Sequence, residues 1–130
     1  MNYCFIILAG GESKRFNSKT PKPYHMYKGK PLLLHSIDKA KKYKKFTKIV
    51  VVIHKNHKKF INKLKIKDIK IIKGGKTRAE SAYKALVGIK GYNIENVLIH
   101  DAARPNFSLK LLDKLNKELK SSDCVVPAIQ

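Results

Sequence analysis

The segment Ala9-Gly10-Gly11-Glu12-Ser13-Lys14-Arg15-Phe16 follows an apolar run and sets paired glycines where backbone N–H groups can approach phosphate oxygens closely. On the glycines alone, a plain strand-to-helix turn is the simpler reading. Neither G-x-x-x-x-G-K-[ST] nor G-x-G-x-x-G is present, so the common ATPase and dinucleotide-binding readings lose their main support. The next segment, Thr20-Pro21-Lys22-Pro23-Tyr24, shifts the balance toward a phosphate cradle. Its two prolines bias Lys22 toward extended backbone and lower the cost of orienting it. Arg15 and Lys22 are close enough in sequence to converge on one anion, and two fixed cations suit the charge that develops when a phosphoryl group is attacked. The competing reading is an exposed turn in a chain full of lysine.

Two further clusters carry polar chemistry. Gly74-Gly75-Lys76-Thr77-Arg78-Ala79-Glu80-Ser81 sets a helix N-terminus to receive an anion or a base edge; Gly75 permits close backbone approach, and Ser81 can donate and accept. Thr77 and Glu80 are equally explained as caps. His100-Asp101-Ala102-Ala103-Arg104-Pro105 places one carboxylate where an octahedral Mg2+, bound mainly by phosphates and water, commonly takes a single protein ligand. Asp101 is therefore the metal candidate, its alternative role being to accept backbone hydrogen bonds. His100 is expected to pack or hydrogen-bond, because phosphoryl-group chemistry needs positioning and positive charge more than a proton shuttle. The chain uses arginine only at Arg15, Arg78 and Arg104, one in each cluster, where a planar bidentate fork differs from a lysine point charge.

The elements that must position these clusters alternate along the chain. Residues 3–9, 48–54, 69–73, 97–100 and 124–128 read as strands, and 31–44, 56–65, 77–89 and 108–120 have helical periodicity with lysine-rich outer faces. Pro31 suits a first helical turn, Thr77 with Glu80 a capping box, and Ser108 an N-cap. This order predicts an α/β fold, a Rossmann-like doubly wound, mainly parallel sheet with helices on both faces and ligands at the carboxyl ends of strands. The lysines of 39–48 read as a solvated helix end, and Cys4 and Cys124 as buried reduced thiols.

Ala9-Gly10-Gly11-x-x-x-Arg15-Phe16, Pro21-Lys22-x-Tyr24, Gly29-Lys30-Pro31-Leu32, Gly74-Gly75-x-Thr77-Arg78-x-x-Ser81 and His100-Asp101-Ala102-Ala103-Arg104-Pro105 together resemble the 2-C-methyl-D-erythritol 4-phosphate cytidylyltransferases of the non-mevalonate isoprenoid pathway. The resemblance covers nearly the whole chain and implies a nucleotidyltransferase. It would transfer CMP from CTP to a sugar-alcohol phosphate and release pyrophosphate without a covalent enzyme intermediate. By it, Arg15 and Lys22 stabilise the transition state, and Ala9, Gly10 and Gly11 cradle CTP. Gly75, Lys76 and Ser81 hold cytidine, Asp101 and Ala102 lie by the ribose and a Mg2+ or other divalent cation, and Arg104 lies near the sugar-alcohol phosphate or a dimer contact. Arg78 braces its loop. Three residues depart from the family pattern: Ser13 replaces a frequent second glycine, Lys76 a frequent acidic residue, and Pro23 the usual glutamine.

Family members continue beyond residues 124–128 with a threonine-bearing loop, an arm exchanged across a homodimer, and a further active-site lysine. The resemblance thus implies that residues 1–130 form a single nucleotide-binding domain truncated at its C-terminal end, weakly active or inactive alone. Ribitol 5-phosphate is the nearest rival acceptor, and a non-catalytic nucleotide-binding remnant the nearest rival role.

The totals fit a globular protein: 43% hydrophobic and 29% charged residues among 130. A formal charge of +20 would attract nucleic acid, anionic membranes or small polyanions. Nucleic acid ranks well below the transferase, because the tyrosines and phenylalanines fall mostly in apolar runs without the basic and aromatic interleaving of single-strand binders. No apolar stretch is long enough to span a bilayer, and the run at 5–9 is too short for a signal segment, so no membrane partner and a cytoplasmic location are expected.

Overall fold

Residues 3–9 read Tyr-Cys-Phe-Ile-Ile-Leu-Ala, apolar on both faces, as a strand covered from both sides must be. In the computed structural model, which describes residues 2–11 and 19–126, this run is one of the two inner strands of the four-stranded sheet. The chain order is β1 (Tyr3–Ala9), β2 (Met26–Tyr27), β3 (Lys30–Pro31), α1 (Leu32–Tyr43), β4 (Phe46–Ile53), α2 (Lys58–Lys63), β5 (Lys70–Lys73), α3 (Arg78–Gly88), β6 (Asn96–Asp101) and α4 (Leu109–Glu118). The main sheet has the order β5-β4-β1-β6 with every pairing parallel. After β1 the chain therefore moves to one side for β4 and β5 and returns to the other for β6. The crevice between the carboxyl ends of β1 and β6 is the switch point at which such sheets bind ligands.

Helices cover both faces, as the alternation predicts. On one face Phe5, Ile7, Val51 and Ile53 meet Leu33 and Ile37 of α1, Ile61 of α2 and Leu112 of α4. On the other, Cys4, Ile6, Val50 and Val52 meet Ala85 and Ile89 at α3. Burying each such aliphatic side chain contributes about 1.5–3 kcal/mol, so the apolar centre of β1 and β4 is what holds the loops at their ends. Burial also pushes the Cys4 thiol up to about 11, although Lys48 pulls the other way.

Several expectations are corrected. Pro31 stands outside α1, in β3, with φ −57° and ψ 146°. It pairs with Met26 in an antiparallel hairpin whose turn places Lys28 (φ 48°) and Gly29 (φ 86°) in the left-handed region, the geometry of a tight two-residue hairpin. Residues 124–126 form no strand, and Cys124 is exposed; residues 127–130, the rest of the expected strand, lie outside the described residues. Among the described residues no strand pairs with the outer edge of β6. In the lysine-rich stretch most side chains are solvated, but Lys39 reaches inward.

Candidate functional site

The first and third clusters meet at the switch point. Leu8 pairs with Asp101 in the β1–β6 ladder, and the Ala102 N–H donates to the Leu8 carbonyl at 2.9 Å. Ala9–Gly11 and Asp101–Ala102 therefore leave adjacent strand ends side by side. A Cβ on Gly10 would meet only ordinary contacts, 3.6 Å from His54 N, and a Cβ on Gly11 would meet nothing within 4 Å among the described residues. Neither glycine has a positive φ. The described residues around them do not demand glycine at either position, whereas a backbone meant for close approach by a ligand does. Arg15, with the rest of residues 12–18, lies outside the described residues.

Lys22 opens a short 3-10 turn rather than an extended segment. The Tyr24 N–H closes the turn on the Pro21 carbonyl at 2.9 Å. Burial of Pro21, Pro23 and Tyr24, with Tyr24 stacked 5.2 Å from Phe60, offsets the disfavour that a following proline imposes on helical backbone. Lys22 is exposed between these anchors. The prolines predict extended backbone at Lys22, and a turn stands there instead. Burial raises the Tyr24 hydroxyl to about 12. Beside Tyr24, at 6.1 Å between rings, stands His57, which burial and the neighbouring His54 and Lys59 hold below the usual imidazole value.

The second cluster is a closed loop. Thr77 caps α3 by accepting from the Glu80 N–H at 3.0 Å. Glu80 in return accepts from Lys76 N–H, and Ser81 Oγ accepts from Gly75 N–H at 3.0 Å. A Cβ on Gly75 would fall 2.3 Å from Glu80 Cγ, so here glycine is required by packing. With its Oγ already accepting, buried Ser81 keeps its hydroxyl hydrogen for a further acceptor. The loop joins the sheet through Gly74 N–H, which donates to Ile53 O at 2.8 Å.

In the third cluster, Arg78 Nε donates to Asp101 Oδ1 at 3.3 Å, so Arg78 braces the second loop against the third across exposed surface. Both groups are more than a third exposed, and such pairs contribute about 0–1 kcal/mol; the pair orients more than it stabilises. Asp101 presents a carboxylate at the sheet edge, which fits a cation that takes one protein ligand, and no group of three His, Cys, Asp or Glu side chains suited to a metal occurs among the described residues. His100 packs against Phe107 at 4.4 Å and donates through Nε2 to the Arg104 carbonyl, while burial lowers its pKa. It holds the loop, and Arg104 is exposed beyond it. Lys39 of α1 donates to the carbonyls of Pro105 and Phe107 at 2.6 and 2.7 Å and lies over the Phe107 ring. Sequence reasoning missed it: nothing in a lysine-rich helix marks one lysine as a loop anchor until the fold brings residue 105 beside it.

Known proteins match this arrangement. The sequence profile of the family described as IspD: 2-C-methyl-D-erythritol 4-phosphate cytidylyltransferase matches residues 3–130. The bifunctional enzyme IspD/IspF of Pelagibacter ubique is 75% identical over 130 residues, all of this chain and 35% of that protein. The solved bifunctional IspDF of Campylobacter jejuni superposes with a TM-score of 0.82 at 35% identity, over 98% of this chain and 33% of that one. Rv0371c of Mycobacterium tuberculosis, solved in complex with manganese, shares the fold with a TM-score of 0.72 at 13% identity, over 90% of this chain and 59% of that one. The chain thus spans about a third of the length of the curated relatives it matches.

Proposed function

Because the chain belongs to the 2-C-methyl-D-erythritol 4-phosphate cytidylyltransferase family, we propose that its residues form one nucleotide-binding unit holding CTP during transfer of CMP to 2-C-methyl-D-erythritol 4-phosphate. The observation that carries this reading is the pair of glycines, Gly10 and Gly11, which neither a clash among the described residues nor a positive φ explains, at the switch point beside Asp101.

In this reading the N–H groups of Ala9–Gly11 face the CTP phosphates. Ser81, whose Oγ accepts from Gly75, donates its hydroxyl hydrogen to cytosine. Gly75 and Lys76 line the base, and Ala102 lies by the ribose. Lys22, on its 3-10 turn, and Arg15 balance the charge that grows on the α-phosphoryl oxygens as the acceptor's phosphate oxygen bonds to the α-phosphorus and the bond to pyrophosphate breaks. Arg104 meets the acceptor. Asp101 would hold a divalent cation such as Mg2+, which supplies neutralisation of the triphosphate charge; the manganese complex of a protein with this fold supports that. The complete protein acts as a homodimer in this reading, without nucleic acid or a membrane as partner. Among the described residues no helix is long and apolar enough to cross a membrane.

The test grafts these 130 residues in place of the matching third of the Pelagibacter relative and follows pyrophosphate release from CTP. Release with 2-C-methyl-D-erythritol 4-phosphate, and not with ribitol 5-phosphate, is expected, with Lys22→Ala slowing it about 10²-fold or more. A folded but inactive graft, or full activity in the Lys22 variant, contradicts the reading.

A further inference from the structure

We infer that the chain carries a second anion site apart from the three loops: a cavity between α2 and the β5 edge that takes a small amphipathic anion, an apolar body ending in one phosphate or carboxylate group. The cavity measures about 340 Å³, and its lining combines two chemistries. Ile53 and Ile61 form an apolar floor that is almost wholly buried, while Ile71 on β5 is 40% exposed and leaves apolar surface uncovered. Lys58, Lys65 and Lys73 line it from three separate segments: the first residue of α2, a position of φ 48° just past its end, and the last residue of β5. No carboxylate lines the cavity, and none of the three lysines is ion-paired among the described residues.

In a protein of +20 formal charge a lysine cluster alone means little. Here three exposed lysines line a concavity with an apolar floor, and the volume falls within the range of small-molecule sites. Like charges lining one cavity without a counter-ion among the described residues favour any ligand that neutralises them, and partial exclusion of water strengthens the attraction. The uncovered Ile71 favours a ligand with an apolar body over a bare ion.

The cavity shares no lining residue with the nucleotide loops, although Lys73 directly precedes Gly74 and the Ile53 carbonyl accepts from the Gly74 N–H. Ile71 pairs with Val51, and Lys73 with Ile53, on the face covered by α1 and α2. The base-facing loop opens α3, which covers the opposite face.

The 130-residue chain is titrated with hexyl phosphate, hexanoate, hexanol and inorganic phosphate, with amide shifts read at Ile61 and Ile71. Saturable binding of hexyl phosphate or hexanoate is expected, about tenfold tighter than hexanol or inorganic phosphate. The tighter of the two identifies the headgroup. The triple variant K58Q/K65Q/K73Q should weaken binding about tenfold, and the distant triple K42Q/K90Q/K114Q should leave it unchanged. CTP should not compete. Equal loss in both triples, inorganic phosphate binding as tightly as hexyl phosphate, displacement by CTP, or no saturable binding would overturn the assignment.

Discussion

Glycine and cation chemistry separate at the level of single residues. Gly11 and Gly75 look alike in the sequence, yet among the described residues a methyl on Gly11 meets nothing and one on Gly75 strikes Glu80. Gly11→Ala should therefore leave thermal stability within about 0.5 kcal/mol of wild type while weakening CTP binding, a split that calorimetry and a melting curve together reveal. Gly75→Ala should melt earlier, by the equivalent of about 1 kcal/mol or more, because Glu80 must move off the Lys76 N–H. The candidate residues were legible in the sequence because glycine, arginine and acid are scarce against a lysine and isoleucine background. The roles of Lys39 and of the Tyr24–His57 contact were not, since residues 66 apart in one case and 33 apart in the other come together only through the fold.

Caps, turns and strand ends decide how firmly the loops are held. Thr77 satisfies one of the first N–H groups of α3, and Thr77→Ala should cost about 1 kcal/mol, measured by chemical denaturation, with a larger fractional loss in nucleotide affinity than in stability. Ile37→Ala, which empties a fully buried position between α1 and the sheet, should cost about 2–5 kcal/mol. Where apolar period and capping residue agreed, the sequence reading located α3 and α4 within a residue or two. It missed the hairpin at 26–31, because two-residue strands have no period and Lys28-Gly29 is not among the strongest turn pairs. It expected a strand at 124–128 because β-branched residues look alike in a ladder and out of one; 124–126 join neither open edge of the described sheet.

Across the whole molecule, pH acts on groups buried in their neutral forms. His57 faces His54, Lys59 and Tyr24, and His100 faces Asp101, Arg104 and Lys39; burial is the largest effect on both, and both are depressed. A depressed imidazole contributes stability that is full above the ordinary value of 6.5 and is lost as pH falls through the folded value. Cys4 and Tyr24 are raised to about 11 and about 12, so their contribution is full below 9.0 and 10.0 and is lost as pH climbs toward the raised values. Melting temperature should therefore fall on the acid side of pH 6.5 and on the alkaline side of pH 9.0. His57→Gln should soften the acid limb; an unchanged limb in both His57→Gln and His100→Gln would show that carboxylates such as Asp113, lowered to about 2 by Lys45 and Lys117, set it instead. The +20 charge adds a background attraction for any polyanion, which salt removes.

That background makes nucleotide preference the sharpest discriminator, because ATP and CTP carry the same phosphates and differ only in the base. Calorimetric titration of CTP with Mg2+ into the chain, against ATP and against Lys22→Ala, tests the assignment of the three loops directly. The loops as described predict binding that prefers CTP, weakens in the Lys22 variant and persists at physiological salt. Equal binding of both nucleotides, or none, would contradict the assignment of CTP to the three loops.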